Sequence, residues 1–241
     1  MASESLEAKF KALHEYSVCD VSDALLKLQK LPQGETPRAG FLADLAPIAP
    51  SRTNLEAQPK IIAPVSTFKF IPKSGNVLED PSPSKDHSIP SGTHWVDWAQ
   101  PDTVVFIEQP AEQYCATLGG IMASRMKVLG VKGVLVNGRV RDLAELRETG
   151  LQVWARATST VGTGAEAKPA ARNVPINVGG VTVSPGDIVF LEPLEGAVVI
   201  PAGLLDDVLT LMPKLMAADE KVKEDVSKGM SVFEAFKKHR G

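Results

Sequence analysis

Two hydrophobic rhythms alternate along the chain, one helical and one strand-like, and together they predict its elements. Leu6, Phe10, Leu13 and Tyr16 recur at intervals of three and four, which makes one buried helix face. Asp20 or Ser22 is expected to cap a second short helix carrying Ala24, Leu25 and Leu28, ended before Pro32 and Gly34. Residues 61–70 read as a strand, with β-branched and aromatic positions alternating in part with polar ones. The centre then runs strand, helix, strand, helix, strand over 103–108, 117–129, 131–137, 142–148 and 152–156. That order is expected of an α/β fold, a sheet covered by helices. A Gly/Ala-rich loop follows over 161–171, and then short strands at 176–178, 181–183, 188–191 and 197–200. Gly179-Gly180 joins the first two of these as a tight hairpin. A long helical segment over 204–238, broken near Gly229, completes the pattern.

One stretch departs from both rhythms. Residues 71–92 hold four Pro, five Ser and two Gly, and the run Asp80-Pro-Ser-Pro-Ser-Lys-Asp cannot bury a core. A flexible surface insertion is expected there. Apolar patterning resumes at once beyond it, so residues 1–241 are expected to form a single domain.

Composition narrows the chemistry. Of 241 residues, 44% are hydrophobic and 23% charged, as in soluble globular proteins. Lys and Arg number 26 against 29 Asp and Glu, a near-neutral balance that argues against a nucleic-acid partner. The N-terminus is polar and no apolar run approaches the roughly 20 residues of a membrane span, so no membrane association is expected. Only Cys19 and Cys115 are present, which with that N-terminus points to a reducing, cytoplasmic setting. His14, His87, His94 and His239 are scattered and leave no zinc-type spacing. A metal here would have to be a hard ion held by carboxylates.

Three places could carry chemistry. Leu118-Gly-Gly-Ile-Met-Ala opens a helix, where glycines allow close backbone approach and free amides favour an anion. The same glycine pair also suits a plain turn. In Asn137-Gly-Arg-Val-Arg-Asp-Leu-Ala-Glu, Arg141 has the planar fork for a carboxylate. Asp142 and Glu145 are expected there as a helix-capping pair. The acidic run Asp219-Glu-Lys-Val-Lys-Glu-Asp reads as a solvated helix face laced with Glu–Lys pairs. No serine or cysteine has the context of a hydrolase nucleophile, and Gly162-Thr-Gly164 does not match a phosphate-binding loop.

Twenty residues separate Gly120 from Arg141-Asp142, and Glu145 follows after two more. This Gly-x20-Arg-Asp-x2-Glu pattern resembles the signature of RraA-like proteins. Val21-Ser-Asp-Ala-Leu, Gly130-Val-Lys-Gly-Val-Leu-Val-Asn-Gly-Arg-Val-Arg-Asp and Val178-Gly-Gly-Val-Thr-Val-Ser-Pro-Gly-Asp extend the similarity along most of the chain. The family includes class II pyruvate aldolases acting on 4-hydroxy-4-methyl-2-oxoglutarate and 4-carboxy-4-hydroxy-2-oxoadipate. The resemblance implies an α/β/β sandwich of the swivelling-domain type, assembled as a homotrimer or a hexamer of two trimers. It also implies a lyase that cleaves a small 2-oxo acid through a pyruvate enolate, by aldol cleavage or by decarboxylating oxaloacetate. By this resemblance Asp142 would bind Mg²⁺ or Mn²⁺, and Arg141 the pyruvyl part of the substrate. The amides of Ile121 and Met122, after Gly120, would receive the substrate carboxylate. Gly120 stands where some aldolases carry an aspartate. Glu145 would lie beside the metal-binding group, and Glu220 is matched to a glutamate that a neighbouring subunit brings to the site. The family's namesake instead binds ribonuclease E without catalysis, so a regulator of a ribonuclease or another protein is the alternative. That regulator lacks the aspartate after the arginine, and Asp142 tilts the expectation toward the enzyme.

Overall fold

Helix starts in this chain are set by short polar side chains that satisfy free amides. The computed structural model describes residues 5–75 and 87–240. Helix α1 (Leu6–Leu13) starts at Ser5, and α2 (Val18–Leu28) starts at Ser17. The Ser17 hydroxyl accepts the Asp20 amide at 3.1 Å, and the Asp20 carboxylate accepts the Ser17 amide at 2.8 Å. This reciprocal box makes Asp20 the inner partner of the cap; neither Asp20 nor Ser22 is the cap itself.

The strands are β1 (Ala46–Ala49), β2 (Ile61–Pro72), β3 (Val104–Glu108), β4 (Gly133–Val140) and β5 (Gln152–Thr158). They are followed by β6 (Ala167–Arg172), β7 (Ile176–Val178), β8 (Val181–Val183), β9 (Ile188–Glu192) and β10 (Gly196–Ile200). Helices α3 (Gly120–Val128) and α4 (Leu143–Glu148) lie between β3 and β5, and α5 (Leu205–Ser227) and α6 (Val232–His239) come last. The main sheet has the order β1-β5-β4-β3-β2-β9-β10. Strands β2 to β5 are parallel, whereas β1, β9, β10 and β6 pair antiparallel.

Two strands were not foreseen in the sequence, and both are poor in β-branched residues. Ala46-Pro-Ile-Ala and Ala167-Lys-Pro-Ala-Ala-Arg carry little intrinsic strand preference and are held by their partners β5 and β2. Pairing with β6 also carries β2 on to Ile71 and Pro72, two residues into the stretch expected as a loop. Residues 76–86 of that stretch lie outside the described residues. On its far side the Arg172 amide donates to the His87 carbonyl at 2.9 Å, and Arg172 Nε donates to Ser88 at 3.1 Å.

Packing gives three apolar clusters. Val105, Val134, Val136 and Val153 face α3 and α4 through Met126 and Leu146, and Trp95 packs edge-on against Phe68 and Phe70 at 5.0 and 5.3 Å. On the opposite face Phe106, Leu135 and Trp154 lie under the β7–β8 hairpin. The third cluster seats α1, α2 and α5 on β9 and β10 through Leu25, Met212, Phe190 and Val198. The result is a mixed α/β fold with helices, sheet and hairpin stacked in layers, as the sequence pattern predicts. The long C-terminal helix does break at Gly229, whose φ of 96° lies in the left-handed region open to glycine. Helix α6 then folds back on α5, where Asp225 takes Lys238 at 2.8 Å and His239 at 2.7 Å. Among the described residues no helix is long and apolar enough to cross a membrane.

Candidate functional site

Parallel strands β3, β4 and β5 end on the same side, and the loops leaving them build the site. The loop after β3 returns alongside the end of β4. The Thr117 amide donates to the Arg139 carbonyl and the Arg141 amide to the Leu118 carbonyl, both at 3.0 Å. Leu118 and Val140 thus form one extra parallel rung beyond the named strands. This rung sets Gly119-Gly120 beside Arg141-Asp142, although twenty residues lie between Gly120 and Arg141.

Asp142 is held in the left-handed region, at φ 58° and ψ 49°. It occupies the position before α4, but its side chain makes no capping bond there, which corrects the expected Asp142–Glu145 pair. A capping residue normally has extended backbone that aims its side chain back at the helix amides. The left-handed backbone aims the carboxylate elsewhere, and Asp142 Oδ2 accepts the Gly120 amide at 3.2 Å. Arg141 Nε lies 3.5 Å from the same oxygen. Both side chains remain open, with 43% of Arg141 and 36% of Asp142 exposed. Aspartate is one of the few non-glycine residues that enter this backbone region as a single residue.

The glycine pair is more than a turn. A Cβ on Gly119 would lie 2.6 Å from Asp142 Oδ2, and one on Gly120 would lie 1.9 Å from Glu145 Oε2. Glu145 therefore fills the space beside Gly120 that a side chain would take. Helix α3 starts at Gly120, and its first intrahelical bond is from the Ala123 amide to the Gly119 carbonyl. The Ile121 and Met122 amides consequently have no acceptor within the helix, and the helix dipole adds partial positive charge there. Gly120, Ile121, Met122, Arg141, Asp142 and Glu145 are thus brought together. Glu220 is not: it sits on α5, paired with Lys223 at 2.8 Å, and α5 packs mainly against α2 and α6.

The loop after β5 locks this arrangement through residues the sequence reading did not single out. The Ala116 amide donates to the Val161 carbonyl at 2.8 Å, and Thr163 Oγ1 donates to the Ala116 carbonyl at 2.6 Å. Gly162 faces the Arg141 guanidinium so closely that a Cβ there would lie only 3.2 Å from Nη1. Glu166 accepts the Tyr114 amide at 2.7 Å and the Cys115 amide at 2.6 Å. Buried Gln109 donates to the Cys115 carbonyl and accepts the Arg139 amide, each at 2.8 Å. These partners lie up to about fifty residues apart and share no local motif, so only the fold discloses them.

The Cys115 and Tyr114 amides hold the Glu166 carboxyl below its ordinary value of 4.5. A carboxyl depressed in the folded state stabilises the fold above its unfolded value and loses that contribution as pH falls through the folded one. Glu166→Gln is therefore expected to melt below the parent protein at pH 7, with the two midpoints converging below about pH 4. Thermal melts across that range check it.

Among the described residues no three His, Cys, Asp or Glu side chains gather as a preformed metal cage. The residues that could hold a metal are Asp142, whose carboxylate is open, and Glu145 one helical turn on. One carboxylate and ample access for water suit Mg²⁺ or Mn²⁺, which keep much of their hydration, and do not suit zinc. A cavity of about 840 Å³ opens at the ends of β3 and β4, with Arg139 and Tyr114 in its wall and none of Gly120, Arg141, Asp142 or Glu145 among its lining residues.

Known proteins share these features to differing extents. Over 176 residues the chain is 23% identical to protein DlpA of Legionella pneumophila, a match covering 73% of this chain but only 27% of that protein. Over 138 residues it is 29% identical to a Halalkalibacterium halodurans protein with the provisional name 4-hydroxy-4-methyl-2-oxoglutarate aldolase, covering 57% of this chain and 65% of the relative. The chain thus spans less than two thirds of either relative. The structure of Streptomyces coelicolor RraAS2, described as an unusual member of the RNase ES inhibitor RraA protein family, superposes with a TM-score of 0.66. It covers 95% of this chain and all of its own at 23% identity, which is a likeness of fold. The family model described as RraA-like, Aldolase/RraA, matches residues 18–199 and so takes in β1 to β9, all but the last residue of β10, the glycine pair and Arg141-Asp142; the chain belongs to the RraA-like family.

Proposed function

We propose that this chain is a divalent-metal-dependent carbon–carbon lyase that cleaves the bond beside a 2-oxo acid through a pyruvate enolate. The convergence of the Asp142 carboxylate, the Arg141 guanidinium and the Gly120 amide on one open spot carries the reading. The provisional aldolase name of the Halalkalibacterium relative supports the same class of reaction. Mg²⁺ or Mn²⁺, held by Asp142 and water, would supply a Lewis acid for the 2-oxo oxygen.

The chain's own groups do the rest. The Ile121 and Met122 amides bind the substrate carboxylate at the start of α3. Arg141 grips the pyruvyl end and meets the negative charge that builds on its oxygen as the bond breaks. In aldol cleavage the C4 hydroxyl passes its proton to water and the C3–C4 bond breaks. Its electron pair stays with C3 as the enolate, and C4 departs as a carbonyl compound. The enolate then takes a proton at C3 to give pyruvate. With oxaloacetate the same bond breaks and the departing fragment is CO₂. Half-open Arg141 and Asp142 leave the site accessible to water, and also to a neighbouring copy. Under this reading the chain works as a homotrimer or a pair of trimers, with Glu220 of a neighbouring copy closing the site.

The test is pyruvate release from oxaloacetate and from 4-hydroxy-4-methyl-2-oxoglutarate. Turnover is expected with Mn²⁺ or Mg²⁺ and is expected to fall to background with EDTA. No turnover of either substrate with either metal would overturn the lyase reading and leave a non-catalytic regulator, to be sought by ribonuclease pull-down.

A further inference from the structure

Strand β4 has two neighbours in succession along one edge. Its pairing with β3 ends at Glu108 and Asn137, and from Arg139 onward the loop residues Thr117 and Leu118 border it instead. Where the Thr117 amide donates to the Arg139 carbonyl, a regular parallel ladder takes the Arg139 amide to the Cys115 carbonyl. Here those two groups are joined through a side chain. Gln109 Oε1 accepts the Arg139 amide and Gln109 Nε2 donates to the Cys115 carbonyl, each at 2.8 Å. One carboxamide is thus inserted into the ladder where β3 hands over to the loop.

Two features of β4 make room for it. Val136 pairs with Ala155 and Arg139 with Ala157, so β4 carries one residue more than β5 across this stretch. A bulge of that kind bends a strand and re-aims the side chains that follow. Gly138 lies in the bulge, and a Cβ there would fall 2.0 Å from Gln109 Oε1 and 2.6 Å from Gln109 Cβ. Gln109 is 5% exposed and Cys115 is fully buried, which keeps bulk water from replacing either bond.

Beyond the insert the direct rungs resume, with the Arg141 amide on the Leu118 carbonyl at 3.0 Å. The carboxamide therefore sets how the loop carrying Gly120, Ile121 and Met122 lies against Arg141-Asp142. Resting on the lyase reading above, we propose that Gln109 is a positioning residue, a spacer between the two halves of the site. Its two hydrogen bonds fix the amides that take the substrate carboxylate relative to the Arg141 guanidinium that takes the pyruvyl end. Gln109 itself touches neither substrate nor metal. Without it the Arg139 amide and the Cys115 carbonyl are left unpaired or close on each other, and either outcome moves one half of the site against the other.

The experiment measures kcat, KM and thermal melts with Mn²⁺ for Gln109→Ala, Gly138→Ala and the double variant against the parent. The substrate is oxaloacetate or 4-hydroxy-4-methyl-2-oxoglutarate, whichever the parent turns over faster. Val198→Ala, in the apolar cluster that holds none of the site residues, is the destabilised control. Each single variant is expected to lower kcat by about 10- to 100-fold, as a misplacement near 1 Å does, and to raise KM by at least about threefold. The double variant is expected to match Gln109→Ala, because the methyl on residue 138 then enters the space the glutamine has left. Val198→Ala is expected to lower the melting temperature and keep kcat and KM within about twofold of the parent. Three results would each overturn the positioning role and leave the lyase reading standing. They are parent-like kinetics in Gln109→Ala, losses that multiply in the double variant, and a fall in kcat with KM unchanged, as a loss of folded protein alone would give. Turnover of neither substrate by the parent would overturn both.

Discussion

Asp142→Asn is expected to lower metal-dependent pyruvate release by at least about 10³-fold while the protein stays folded. Asparagine is the informative replacement because of the backbone. At φ 58° the residue sits where Asp and Asn are tolerated and alanine costs roughly 1 kcal/mol or more. The amide oxygen of asparagine can still accept the Gly120 amide, which Asp142 Oδ2 takes at 3.2 Å. Shape and hydrogen bond are kept and only the charge goes. A hard divalent ion with one protein carboxylate then has no anionic ligand, and Arg141 loses its counter-charge at 3.5 Å. Steady-state kinetics with Mn²⁺ and a thermal melt of the same sample check the result. Turnover at the parent's level would remove Asp142 from the site.

Gly120→Ala is expected to be nearly as damaging, for a steric reason. The new methyl would lie 1.9 Å from Glu145 Oε2 and 2.5 Å from Glu145 Cβ. The carboxylate can swing away, but the Cβ is fixed to α4, so α3 and α4 must part. Overpacking of that kind costs about 1–3 kcal/mol. The displaced helix start carries the Ile121 and Met122 amides, and a misplacement near 1 Å lowers turnover about 10²-fold. Gly164→Ala, with nothing within 4 Å of the added methyl, serves as the neutral control. Melting temperature and kcat/KM together report the two parts of the effect.

Much of the architecture was legible because it is written locally. The first halves of β3 and β4, Val104-Val-Phe-Ile and Gly133-Val-Leu-Val, are apolar and buried on both faces, as a central parallel strand has to be. Ser17 and Asp20, three residues apart, form a cap at the start of α2, yet Asp20 looked like the cap because either residue type can serve. Strands β1 and β6 were hidden because alanine- and proline-rich segments take strand conformation only when a neighbour offers its edge. The Asp142 error has the same origin. Its identity and spacing to Glu145 suit a cap, but its backbone angle is imposed by the rung between Leu118 and Val140.

By itself, then, the sequence determined the alternating α/β order, the interruption after β2, the break at Gly229 and the spaced Gly120, Arg141, Asp142 and Glu145. Each of these is a property of residues near in sequence or of a motif that spacing alone displays. Only the tertiary structure decided that Asp142 turns from α4 to the Gly120 amide, that Glu145 closes over Gly120, and that Gly162 and Glu166 hold the loops around Arg141. Those outcomes depend on hydrogen bonds and steric contacts between loops about twenty to fifty residues apart, which form only once the parallel strands have set the loop ends side by side.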